Sequence, residues 1–199
     1  MAEKSGLIHH VGDWVADAAC HQLATWIALG FDVPRLSINV SAEQFRRPHL
    51  PATFQRLIAH YQLDATLLTI ELTETALMVD PDQCLRMLRD LKVLGVSLSI
   101  DDFGTGFSSL SSLRKYPIDE LKIDRSFINE VGSNPDDRAI TRTILAMADT
   151  LGLSVVAEGI ETREQLDALN HMACPSGQGY FFAMPLSAEE MAARMTKKT

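Results

Sequence analysis

Asp101-Asp102-Phe103-Gly104-Thr105-Gly106 sets two adjacent carboxylates at the end of a strand-like run, ahead of a loop with two glycines. Neighbouring acids repel, and each resists ionising beside the other unless a cation sits between or next to them. The pair is therefore either a divalent-metal site or a solvated turn, and the rest of the chain decides. Other polar groups stand near the ends of apolar runs: Asn39, Glu71, Lys122 and Glu158. Hard oxygen donors from Asn39, Glu71, Asp101 and Asp102 suit Mg²⁺ or Mn²⁺ and not zinc. Two such ions close together polarise a phosphodiester and lower the pKa of a bridging water. Lys122 could orient that water or stabilise developing negative charge, and Glu158 could complete an ion's shell or accept a proton. Taken singly, each is an ordinary turn Asp, surface Glu or strand-end Lys. Their matched positions make that reading poor for the set.

The elements that must position these groups alternate between strand and helix. A first helix carries the apolar stripe Val11, Val15, Ala18, Ala19, Trp26. Strands are expected at Leu36–Val40, Leu67–Leu72, Val96–Ile100, Glu120–Ile123, Ser154–Ala157 and Gly179–Phe182. Helices are expected at Pro51–Tyr61, after Asp80, from Ser108, at Asp137–Leu151, at Thr162–Leu169 and from Ser187. Asp80-Pro81-Asp82-Gln83 reads as an N-cap with Pro in the first turn, and Cys84, Met87, Leu88 and Leu91 form the buried face that follows. Alternation of this kind implies parallel strands covered by helices.

Within the strands, one period-two phase is apolar: Leu36, Ile38, Val40; Leu68, Ile70, Leu72; Val96, Leu98, Ile100; Leu121, Ile123. The other phase is small or polar, and the strands end near Asn39, Glu71, Asp101, Lys122 and Glu158. An open doubly wound sheet would carry apolar residues on both faces of its inner strands. Polar groups buried unpaired would each cost roughly 2–7 kcal/mol, so they must satisfy one another. Convergence around metal ions at the C-terminal mouth of a (β/α) barrel does that.

The chain has 199 residues, 46% apolar and 22% charged, with a formal net charge of −8. That is the composition of a globular domain, and no linker or short repeat divides it. The acidic balance argues against a broad footprint for DNA or RNA. No apolar run approaches a membrane span, and the first residues do not resemble a signal peptide. Cys20, Cys84 and Cys174 are odd in number and far apart. They read as buried thiols in a reducing cytoplasm, not as a zinc site.

At this point the residues resemble the EAL-domain cyclic di-GMP phosphodiesterases. The matching segments are Leu36–Ser41, Glu71–Thr75, Asp101–Leu110, Leu121–Phe127, Val156–Thr162 and Gln178-Gly179-Tyr180, in family order over essentially the whole chain. The resemblance implies a TIM-like barrel that hydrolyses cyclic di-GMP to linear pGpG with two Mg²⁺ or Mn²⁺ ions. It implies Asn39, Glu71 and Asp101 as ligands of one metal, and Asp101 with Asp102 as ligands of the second, Glu158 nearby. Lys122 and Gln178 would hold the water or its neighbours, with Asp124 behind Lys122. Glu74 would anchor the loop Phe103–Leu110, which the family uses in dimerisation and activity control; the plainer alternative is a rim salt bridge. Glu161 is either a supporting partner or the start of the following helix.

The family's Glu-Ala-Leu motif does not occur in the chain. The strand count is also two short of the eight of a closed barrel. The expectation is a single partial EAL domain over 1–199, an incomplete barrel lacking its first two strands, a metal-ligating Glu and a phosphate-contacting Arg. Open strand edges invite pairing, so a homodimer or swapped oligomer is expected. Hydrolysis by this chain alone is expected to be weak, and the alternative is an inactive module that binds cyclic di-GMP or a protein partner. Met184 stands where many relatives carry a basic residue. A barrel of the enolase type would share acids on successive strands but would not explain the Phe-Gly-Thr-Gly loop.

Overall fold

A computed structural model describes residues 7–77, 80–106 and 113–197. Six strands lie in sequence order in one sheet: β1 (Leu36–Val40), β2 (Leu68–Thr73), β3 (Ser97–Phe103), β4 (Glu120–Ile123), β5 (Ser154–Ala157) and β6 (Ser176–Gly177). The pairings β1–β2, β3–β4, β4–β5 and β5–β6 are parallel, as strand-helix alternation requires. The chain divides into two compact units, Met1–Leu98 with Leu186–Thr199, and Ser99–Pro185.

In the first unit α1 (Leu7–Ala28) is followed by α2 (Ala42–Phe45), α3 (Leu50–Tyr61) and α4 (Pro81–Val93), and α8 (Ala188–Arg194) closes the chain. Helix α4 begins as its sequence dictates. The Asp80 carboxylate accepts from the Gln83 N–H at 3.0 Å, Pro81 occupies the first turn, and Cys84, Met87, Leu88 and Leu91 are buried. Helix α1 differs from expectation. Its buried stripe is Ala16, Cys20, Leu23 and Trp26, while Val11 and Val15 are exposed. The buried residues recur at spacings of four and three, as one face of a helix requires, and Leu23 and Trp26 supply its bulk. Burial pushes the Cys20 thiol up to about 11, with the Asp17 charge adding to the effect. It is an inert core group. Cys174 is only half-buried, against expectation.

The second unit holds α5 (Arg125–Ile128), α6 (Pro135–Leu151) and α7 (Arg163–His171). Asn134 caps α6 ahead of Pro135, and Thr162 with Gln165 forms a capping box on α7. The expected strand at Gly179–Phe182 is a correction: the last strand is β6, and 179–182 is a turn. Gly179 lies so close to the Ile160 backbone that any side chain there would overlap it, and Phe181 donates its N–H to the Ile160 carbonyl at 2.9 Å. Backbone apposition with no room for a Cβ ends the strand, and Tyr180, Phe181 and Phe182 are left exposed. The helix expected from Ser108 begins outside the described residues. No helix among the described residues is long and apolar enough to cross a membrane.

Candidate active site

Strand β3 runs through both acids of the opening motif, past the expected end at Ile100. Ile100 pairs with Leu121 and Phe103 with Ile123, so three steps on β3 match two on β4. The surplus residue is a bulge at Asp101-Asp102, and Asp102 takes a left-handed conformation with φ of 53°. In a regular strand these neighbours would face opposite sides of the sheet. The bulge turns both toward one place. One carboxylate oxygen from each of Asp101, Asp102 and Glu158 lies within 4.8 Å of the others.

Lys122 reaches this cluster from β4. Its side chain is buried, and Nζ meets Asp101 Oδ1 at 3.0 Å and Glu158 Oε1 at 2.5 Å. Glu158 follows β5, its N–H bonded to the Ile123 carbonyl at 3.1 Å. Gln178 follows β6 and donates from Nε2 to Glu158 Oε1 at 2.6 Å. Two strand ends thus fix the Glu158 carboxylate from the cation side and the amide side.

Asp124 caps α5, accepting from the Ser126 N–H at 3.0 Å and from its hydroxyl. It also shares a hydrogen bond with Asp102. Burial raises the Asp102 carboxyl above its ordinary range, and the charges of Asp101 and Asp124 raise it further. At Asp124 burial acts upward too, but the donors Ser126, Asp102 and the Arg125 N–H together lower it. Thr105 closes the turn by donating its hydroxyl to the Asp102 carbonyl at 2.9 Å.

A pocket of about 470 Å³ opens over these groups, with Arg125, Gly159, Glu161, Tyr180 and Met184 in its wall. Glu161 is exposed, and its N–H is held by the Gln165 amide oxygen at 2.7 Å. Arg125 and Gly159 were not among the expected site residues, although both lie inside motif segments. Gly159 has φ of 72°, and a Cβ there would come within 2.6 Å of the Arg125 Cβ. Gly159→Ala is expected to cost about 2–4 kcal/mol, from left-handed strain plus overlap, measured by thermal unfolding.

Asn39, Glu71 and Glu74 lie in the first unit. Asn39 and Glu71 are directly opposite each other in the β1–β2 register. Glu71 is 4% exposed, whereas Asn39 is exposed. Glu74 is buried in the 3₁₀ turn Glu74–Leu77. Of the loop it is expected to anchor, Phe103, Gly104, Thr105 and Gly106 are described, and residues 107–110 lie outside the described residues.

The family described as EAL domain matches residues 1–185. The chain is 42% identical over 193 residues to the bifunctional diguanylate cyclase/cyclic di-GMP phosphodiesterase MucR of Pseudomonas aeruginosa, covering 97% of this chain and 28% of MucR. The solved PaMucR phosphodiesterase in complex with c-di-GMP matches with a TM-score of 0.92 at 43% identity, over 96% of this chain and 77% of that one. A manganese/cy-diGMP complex of Klebsiella pneumoniae BlrP1 matches with a TM-score of 0.80 at 29% identity, over 89% of this chain and 45% of that one. The fold is thus the TIM-like α/β fold of EAL domains. The chain spans about a quarter of the length of the curated relatives it matches.

Proposed function

The chain belongs to the EAL domain family, and from that premise we propose that it hydrolyses cyclic di-GMP to linear pGpG with Mg²⁺ or Mn²⁺. The observation that carries this reading is the convergence of the Asp101, Asp102 and Glu158 oxygens within 4.8 Å of one another. Three hard oxygen donors, one of them raised above its ordinary carboxyl range by desolvation and then by its anionic neighbours, fit a divalent cation. Asp101, Asp102 and Glu158 would hold one ion in the second unit, and Asn39 with Glu71, opposite each other in the β1–β2 register, are the candidate metal ligands of the first. Such ions supply charge neutralisation at the phosphodiester and a nucleophilic water at neutral pH.

The chain's own groups divide the remaining work. Lys122, fixed between Asp101 and Glu158, keeps a positive charge beside the phosphoryl oxygens on which negative charge develops. Glu158 accepts a proton from the attacking water, and Gln178 holds the carboxylate oriented for it. One water is consumed, one P–O ester bond breaks, and the leaving ribose oxygen takes a proton.

A second reading, binding without turnover, is favoured by Asn39, which is exposed on β1 and makes no side-chain hydrogen bond to a described residue. The test is incubation of the purified chain with cyclic di-GMP in Mn²⁺, with products resolved by reverse-phase chromatography. The expected result is slow formation of linear pGpG, abolished by EDTA and by Asp101→Asn. Calorimetric binding in Ca²⁺ without product in Mn²⁺ would replace this reading with the second one. Absence of both would overturn the functional assignment.

A further inference from the structure

We propose that Arg125 reads a guanine base of the dinucleotide, with Tyr180 and Met184 forming the apolar side of the same subsite; this rests on the cyclic di-GMP reading above. Among the described residues, Arg125 is the only cation in the pocket wall, which also carries Asp102, Asp124, Glu158 and Glu161. Even so, its guanidinium makes no ion pair with a described residue. Its backbone is fixed: the N–H is bonded to the Asp124 carboxylate, and Gly159 provides the space against which its Cβ packs. The root of the side chain is thus anchored while its fork of five donors is left for a ligand.

The opposite chemistry lines the same pocket. Tyr180 is 58% exposed and Met184 is 67% exposed. Large apolar side chains left open on a pocket wall beside a few polar groups are the composition of a ligand-binding surface. An aromatic ring and a polarizable thioether suit the flat face of a base better than a phosphate. The phosphodiester itself has its place at the carboxylate cluster, with the ions those carboxylates hold.

A base lying against Tyr180 and Met184 presents its edge for reading, and the edge chemistry selects guanine. Guanine offers two acceptors, O6 and N7, that match the arginine fork, whereas adenine places an N–H donor where O6 would be. Met184 sharpens the assignment, since an apolar residue at that position leaves Arg125 as the sole fork donor among the described residues of the wall.

The test is calorimetric titration in Ca²⁺ of the wild-type chain, Arg125→Met, Arg125→Lys and Tyr180→Ala, each with cyclic di-GMP and cyclic di-AMP. Arg125 is exposed, so its variants are not expected to compromise folding. The wild type is expected to prefer cyclic di-GMP by roughly 10- to 100-fold. Both Arg125 variants should bring that ratio to within about threefold of unity through loss of cyclic di-GMP affinity, because Lys keeps the charge but not the fork. Tyr180→Ala should weaken both dinucleotides alike, since stacking tolerates either base.

An unchanged preference in Arg125→Met, or in Arg125→Lys, overturns the proposal. Equal weakening of both ligands in Arg125→Met assigns the residue to a phosphate and overturns it too. Unaltered binding by Tyr180→Ala removes the apolar side of the subsite. A wild type that binds with no base preference sinks this inference alone, while one that binds neither dinucleotide takes the functional reading with it.

Discussion

Lys122→Met is expected to destabilise the metal-free chain by about 3–5 kcal/mol, because it removes the buried ammonium that pairs with the half-buried Asp101 and Glu158 carboxylates. The side chains of Lys122, Asp101 and Glu158 are 6%, 16% and 15% exposed, so solvent screens this group poorly. For a chain of this size the loss corresponds to a fall of roughly 6–20 °C in the thermal midpoint. Mn²⁺ should restore far more of the midpoint in the variant than it adds to the wild type, since the ion takes over the charge that Lys122 supplied. Hydrolysis should remain about 10²- to 10³-fold below wild type even when metal has restored the fold, because the group beside the phosphoryl oxygens is gone. A variant that melts with the wild type in EDTA would show that the ammonium does not hold the cluster together.

Asp102→Gly should separate stability from activity in the opposite direction. Asp102 occupies a left-handed backbone conformation that glycine adopts freely, and it crowds Asp101 and Asp124. Relief of the strain, offset by the greater chain entropy of glycine, leaves a net gain of about 1 kcal/mol at neutral pH. The folded-state pKa of Asp102 is raised, so the stability this group contributes is fully present below its unfolded pKa and is lost as pH rises through the folded value. The advantage of Asp102→Gly should therefore be greatest at neutral pH and shrink on acidification. Hydrolysis should fall by at least about 100-fold with the loss of a metal-holding oxygen. Asp102→Asn, which tolerates the same backbone without the charge, separates strain from repulsion. Melting of Asp102→Gly well below wild type at pH 7, or retained turnover, would refute the account.

Much of the fold is legible because local rules agree with the final packing. Asp80, Pro81 and Gln83 start α4 as cap chemistry dictates, and Cys84, Met87, Leu88 and Leu91 are buried as their spacing requires. The strand phases hold for the same reason: Ile38, Ile70, Ile100 and Leu121 are all buried on the apolar side. Failures come where local hydrophobicity does not decide. In α1, Ala16 and Cys20 are buried with Leu23 and Trp26, while the more apolar Val11 and Val15 are exposed. The 180–182 run is apolar enough for a strand, but the contact of Gly179 with the Ile160 backbone turns it. At the site, the acids, Lys122 and Gln178 are visible as polar breaks in apolar runs. Arg125 is not, because an Arg following a helix-capping Asp looks like any exposed first-turn residue until the pocket wall is seen.

The surplus residue in β3 has a consequence for how this site can be lost. Asp101 and Asp102 are identical, so deleting either codon yields the same polypeptide. The remaining strand would run Ile100, one Asp, Phe103, and those flanking residues already pair with Leu121 and Ile123, two steps apart on β4. The shortened strand therefore falls into unbroken register with its apolar partners where they were. A single acid would be left, facing one side of the sheet. Chain length, more than residue identity, sets the ligand count here, and a change of one codon triplet separates a metal-clustering strand from an ordinary one with the same core.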